Sequence, residues 1–230
     1  MQIIAHRGAS GYKPENTLSS FQEAISLGVD IIELDVFVIK TGEVVVFHDE
    51  TVDRTTHSTG KVTDFSLEEL RQLDAGNGEK IPLLSEVLDL IDKRIPINIE
   101  MKGNGIARPV ANLIRDYVTK KGWSDRHFIV SSSNYAELKL FARLRPSVRV
   151  GTLFRGEPPY RRVLAKDDNA FSANLAAEFV TDESVREAHS RGLKVYAYTV
   201  NSKREARRLK SLKVDGVFTD YPDKILAEIT

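Results

Sequence analysis

Along this chain the apolar pattern switches repeatedly between short β-like runs and stretches of helical period, and that alternation most constrains the fold. Strands are expected at 2–6, 30–38, 43–48, 95–101, 127–132, 148–154, 169–174, 194–199 and 215–219. Helices are expected at 15–27, 85–93, 105–121, 134–145, 158–166, 182–191, 202–211 and 222–229. Asn16, Ser85, Asp182 and Ser202 can cap helix starts, and Gly28 and Gly192 can end helices. This leaves one strand more than there are helices. The runs 30–38 and 43–48 are separated only by Ile39, Lys40, Thr41 and Gly42. A parallel crossover needs about a dozen residues, so these two runs must form an antiparallel hairpin. Setting the second arm aside leaves eight strand–helix units in strict alternation, the pattern of an α/β protein with a (β/α)8 TIM barrel. An open doubly wound sheet shows the same alternation. The hairpin and the polar segment after it, about 39–81 with a helical patch at 66–73, read as a small insertion between the second strand and its helix. The whole of 1–230 then reads as a single domain.

Charge and composition narrow the partners. There are 33 basic and 33 acidic residues, so no general electrostatic grip on nucleic acid or an anionic membrane is expected. An anionic ligand must be held by a local cluster of cations or by a metal. The chain has no cysteine, which excludes disulfides, thiolate metal sites and a cysteine nucleophile. No segment approaches the roughly 18 apolar residues of a membrane span, and MQIIAHRG lacks the apolar core of a signal peptide. A cytoplasmic protein without stable membrane association is the expectation. The sequence gives no sign of oligomeric state.

Barrel chemistry sits at the C-terminal ends of the strands. There the first strand ends in His6-Arg7, the second carries Glu33 and Asp35, and the strand at 95–101 leads into Glu100 and Lys102. Residues two apart on a strand share a face, and buried parallel strands are normally apolar throughout, so IELDV and NIEMK break the local rule. A single carboxylate in a strand is more often a salt-bridged structural group. Three on neighbouring strand ends repel one another, and a cation resolves the repulsion. Hard oxygen donors without sulfur suit Mg2+ or Ca2+, with Mn2+ also compatible; Lys102 is the competing partner for one carboxylate. If the hairpin turn centres on Thr41-Gly42, positions 40 and 43 pair and Asp35 lies opposite His48, which brings His48 to the same face. Two histidines flanking such a site suit general acid and base roles near neutral pH. His57, His127 and His189 read as structural. Arg7 and Lys102 add positive charge that favours a bridging phosphate. The glycine-rich phosphate cup common in barrels is missing from TVNSK and TDYPD.

Taken in order, HRG at 6–8, PENT at 14–17, ELD at 33–35, HD at 48–49 and DRTT at 53–56 resemble the glycerophosphodiester phosphodiesterase family. NIEMK at 98–102, YTVN at 198–201 and GVFTDYP at 216–222 extend the resemblance along nearly the whole chain. It implies a barrel with an insertion after the second strand, and metal-dependent hydrolysis of a small glycerophosphodiester to an alcohol and glycerol 3-phosphate. Position by position, it implies Glu33, Asp35 and Glu100 as metal ligands, His6 and His48 as the catalytic pair, and Arg7 and Lys102 as phosphate-binding residues. The chain departs from the family at Tyr198, where Trp is usual, and at Ser131-Ser132, where Ser-Phe is common. Ser132 and Tyr198 would therefore shape the glycerol or alcohol end of the pocket. A phospholipase of C or D type and a non-catalytic phosphate-ligand binder are the alternatives.

Overall fold

The computed structural model describes residues 1–156 and 170–229. The helix expected at 158–166 lies outside the described residues. The elements run β1 (Gln2–Ala5), α1 (Leu18–Ser26), β2 (Ile31–Val38), β3 (Val44–Val46), α2 (Leu67–Gln72), α3 (Leu84–Ile91), β4 (Ile97–Met101) and α4 (Ala107–Lys120). They continue with β5 (Phe128–Ser132), α5 (Tyr135–Leu144), β6 (Arg149–Phe154), β7 (Ala170–Ala176), α6 (Asp182–Ser190), β8 (Lys194–Tyr198), α7 (Lys203–Ser211), β9 (Gly216–Thr219) and α8 (Pro222–Ile229).

Eight of the strands are parallel and close into a ring. Neighbours pair in the order β1-β9-β8-β7-β6-β5-β4-β2, and β1 pairs with β2 to complete the circle. The closed barrel is thus the architecture, not the open sheet. Strand alternation splits the apolar residues into two layers. Ile3, Ala5, Ile32, Leu34 and Val36 belong to the large cluster that also holds helix residues such as Phe21, Leu84 and Ile114. Ile4, Ile31, Ile129, Tyr196 and Phe218 form a separate small cluster on the opposite strand face. That inner layer plugs the barrel beneath the strand ends, so polar groups at those ends rest on a dry floor.

Helix starts differ from expectation in three places. Thr17, not Asn16, caps α1, its hydroxyl accepting from Ser20 N in a reciprocal capping box. Thr181 caps α6, and Asp182 occupies the first turn. At α3 no side chain accepts at the cap position; Glu86 instead accepts from Leu83 N, and Ser85 is an ordinary helical residue. Ser202 caps α7 as expected, and Gly28 and Gly192 follow their helices with φ of +69° and +76°.

The hairpin forms, with a register one residue away from expectation. Gly42 N donates to Ile39 O and Ile39 N to Glu43 O, so the loop holds three residues and Gly42, at φ +96°, supplies the left-handed position. Val36 therefore pairs with Val46, and Phe47 N reaches Asp35 O. Phe37 and Val45 of the hairpin join Val52, Val62, Leu70 and Ile81 of the following segment in a small apolar cluster of their own. That cluster docks the 39–81 segment against the barrel mouth.

Replacing fully buried Phe21 of α1 by Ala should lower unfolding stability by about 3–5 kcal/mol. A shift of the urea midpoint with an unchanged slope would be the expected readout.

Candidate active site

The register of β2 against β4 builds the centre of the site. Asp35 pairs with Glu100 and Glu33 with Asn98 across adjacent parallel strands. Extending the β1–β2 register, Ala5 with Ile32, puts His6 beside Glu33. Oxygens of Glu33, Asp35 and Glu100 all lie within 4.8 Å of one another, and the three residues are buried at 2%, 1% and 7% exposure. Burial works against all three charges. For Asp35 it is outweighed by Lys102, Arg7 and His48, with a hydrogen bond from Asn16, which hold the carboxyl down at about 2. Glu33 is pushed well up by burial, then by Asp35 and Glu100. Glu100 is also raised, by burial and Asp35, against the opposing pull of Lys102. Two protein cations therefore do not balance three carboxylates. A hard oxygen set this compact is compatible with a divalent cation, which would let all three ionise.

The loop after β1 is shaped to turn Arg7 into this centre. Arg7 itself has φ +55° and Gly8 +79°. A Cβ on Gly8 would stand 2.4 Å from Ser20 Oγ and 2.7 Å from its carbonyl carbon, so only glycine fits against α1. Arg7 N donates to Glu33 Oε2 at 2.8 Å, and its guanidinium meets Glu15 at 2.8 Å. Its Nε, 3.5 Å from Asp35 Oδ2, is buried without a hydrogen bond, a donor suited to an anionic ligand. Lys102 Nζ sits 3.0 Å from Asp35 Oδ1 and 2.5 Å from Glu100 Oε1. Asn16, in the left-handed region at φ +57°, donates from Nδ2 to Asp35 Oδ2 at 2.9 Å.

Each histidine is backed by a carboxylate. His6 Nδ1 lies 2.7 Å from Asp220 Oδ1, and Asp220 also accepts from Ser10 Oγ and Asn201 Nδ2. His48 Nδ1 lies 2.5 Å from Asp49 Oδ1. An ionised carboxylate can only accept, so Nδ1 carries the proton and Nε2 is left for the cavity. Burial, with Lys102 and Arg7, lowers the His48 pKa against the opposing pull of Asp35 and Asp49. Asp49 in turn takes Arg54 Nε, and Arg54 grips both oxygens of Glu15 at 2.8 and 2.6 Å. A chain of ion pairs thus runs from the insertion to Arg7.

His6, Arg7, Glu33, His48, Glu100 and Lys102 line one cavity of about 400 Å³ at the barrel mouth, with Tyr198 and Phe218 in its wall. His48 reaches it although the register is one off, because β3 ends at Val46 and Phe47-His48 leave the strand. Tyr198 faces the cavity, its hydroxyl donating to Phe154 O at 2.5 Å. Ser132 does not line it, but lines a larger cavity beside it. Its hydroxyl donates to Met101 O and accepts from Asn134 N, which occupies the group in holding two loops together. His127 and His189 sit away from this cavity, the first accepting from Ser124 N and the second facing Asp215.

A sequence profile described as the glycerophosphoryl diester phosphodiesterase family matches residues 6–224. The chain belongs to that family. A glycerophosphodiester phosphodiesterase of Caldanaerobacter subterraneus is 38% identical over 239 residues, covering 97% of this chain and 96% of the relative. A human lysophospholipase D is 29% identical, covering 96% and 84%. Among solved structures, an Oleispira antarctica phosphodiesterase in complex with the product sn-glycerol-3-phosphate superposes with a TM-score of 0.90 at 32% identity, covering 100% of this chain and 96% of that one. The family's barrel is therefore the fold seen here. Within it, Asp49, Asp220, Glu15 and Arg54 received no role from sequence reasoning. Each lies inside one of the motifs PENT, HD, DRTT and GVFTDYP.

Burial opposes ionisation of Asp220, but the hydrogen bond from His6, with Asn201 and Ser10, holds its carboxyl down at about 2. A depressed folded-state pKa stabilises above the unfolded value near 4 and is lost as pH falls towards the folded value. Asp220→Asn should cost roughly 1–2 kcal/mol at pH 7, allowing for partial exposure. Most of that difference should vanish in unfolding curves recorded between about pH 4 and pH 2.

Proposed function

We propose that this chain hydrolyses glycerophosphodiesters to an alcohol and glycerol 3-phosphate, acting as one unit of barrel and insertion. The observation that carries the reading is one cavity lined by two carboxylate-backed histidines, two cations, and Glu33 and Glu100 of the buried cluster they form with Asp35. The product-bound Oleispira neighbour and the glycerophosphodiester phosphodiesterase of Caldanaerobacter support the substrate class.

In this reading Glu33, Asp35 and Glu100 hold a divalent cation, Mg2+, Ca2+ or Mn2+ by the hardness of the donors. When bound, it supplies positive charge to a phosphate oxygen. Arg7 and Lys102 hold the non-bridging oxygens and favour the charge that builds on them as phosphorus is attacked. One histidine, neutral, takes a proton at Nε2 from the nucleophile. The other, protonated, gives one to the departing alcohol oxygen as its bond to phosphorus breaks. The nucleophile is water or the glycerol 2-hydroxyl, and the second route passes through a cyclic phosphate that water opens. Asp220 and Asp49 keep each ring in the tautomer and orientation that presents Nε2.

The human lysophospholipase D relative favours a second reading, in which the glycerol moiety carries an acyl chain. Hydrolysis of micellar lysophospholipid in preference to soluble glycerophosphocholine would select it. Among the described residues no helix is long and apolar enough to cross a membrane.

His6→Ala and His48→Ala should each lower kcat by roughly 10²–10⁴-fold, measured by release of glycerol 3-phosphate; near-normal turnover in either would remove that histidine from the mechanism. Exhaustive chelation should abolish hydrolysis, and Mg2+, Ca2+ or Mn2+ should restore it. Full activity in the chelated protein would remove the cation.

A further inference from the structure

A second cavity of about 780 Å³ adjoins the first, and the two share His48, Lys102, Leu153 and Arg155 as a common wall. A phosphodiester has its reacting atom in the middle and one alcohol on either side. The phosphorus must lie within reach of both histidines, yet His6 lines only the first cavity and His48 lines both. The phosphate therefore belongs at the seam, and its two arms extend in opposite senses. Arg155 strengthens that placement. Arg7 and Lys102 are already engaged with carboxylates, whereas Arg155 forms no ion pair among the described residues and stands in both walls.

We propose that the second cavity is the binding site of the leaving alcohol and that it takes a small hydrophilic head group. This rests on the glycerophosphodiesterase reading. The first cavity is the smaller, and Leu153, Tyr198 and Phe218 in its wall suit the constant glycerol phosphate arm. The second is nearly twice as large and receives the arm that varies between substrates. Its apolar members Phe37, Met101 and Phe154 are buried, Leu153 is half-buried, and Tyr135 is exposed. Glu50, Asn104, Ser133 and Arg155 are its exposed polar members, which suits the hydroxyl or amine groups of a hydrophilic alcohol. Asn134 Nδ2 donates to Asn104 Oδ1 at 2.8 Å, so this edge is held in place before a ligand arrives.

The test narrows the cavity from two separate loops, using Ser133→Trp and Asn104→Trp, both at exposed positions outside the catalytic set. Wild type and variants are assayed with glycerophosphoinositol and glycerophosphoethanolamine, and inhibition by glycerol 3-phosphate reports on the first cavity. In both variants kcat/KM for the inositol substrate should fall about tenfold or more relative to the ethanolamine substrate. The inhibition constant of glycerol 3-phosphate should stay within about twofold. Equal losses on both substrates would overturn the assignment. Weakened inhibition by glycerol 3-phosphate would also overturn it, because the arms would then be reversed. If wild type hydrolyses neither substrate while remaining folded, the phosphodiesterase reading itself falls; if it hydrolyses both and the variants do not discriminate, only the second cavity's role does.

Discussion

The buried charge of Asp35 is the constraint around which the rest of the mouth is arranged. A carboxylate at 1% exposure is tolerable only where its oxygens find donors and cations. Asp35 finds them on two separate segments: Asn16 and Arg7 in the loop after β1, and Lys102 after β4. Its main-chain oxygen takes Phe47 N from the hairpin. Each contact fixes a part of the candidate site. Arg7 is drawn inward, Lys102 bridges to Glu100, and the hairpin end is pinned where His48 enters the cavity. Glu33 and Glu100 then bring more negative charge than these partners balance, and the surplus is what makes the centre receptive to a cation.

Much of this was legible in the sequence because barrel geometry translates linear spacing into shared faces. Glu33 with Asp35, and Glu100 on the next strand, needed only the two-residue period and the order of the strands. The hairpin was legible from the short gap between two β runs. Its register was not. A three-residue loop with Gly42 in the left-handed region shifts every pair by one, and residue identities at the turn suit either loop. His48 reached the cavity by leaving the strand, a route that alternation does not describe. Asn16 looked like a helix cap because asparagine favours that position, yet its left-handed backbone and its bond to Asp35 show a tertiary demand overriding the local one. Ser132 stood out because it differs from the family pattern, and it does line the larger cavity, but the commitment of its hydroxyl to two main-chain groups was not visible in the sequence.

The partners of the histidines were hidden for another reason. Asp220 lies 214 residues from His6, and no local pattern links them until β9 is placed beside β1. Asp49 is adjacent in sequence to its histidine, but the Arg54 that holds it reaches from the insertion to Glu15 of the barrel. These are facts of topology, and they become visible only when strand order is known.

The His6–Asp220 contact sits on the seam between the first and last strands of the ring, and this has a consequence for how the protein matures. Contacts of such sequence separation form late, since the chain must lose the entropy of closing a very long loop before they reward it. A ribosome-bound chain lacking β9 has no neighbour for one side of β1 and no carboxylate behind His6. Closure of the ring and the arrival of Asp220 behind His6 are thus one event, which a partly made barrel cannot reach.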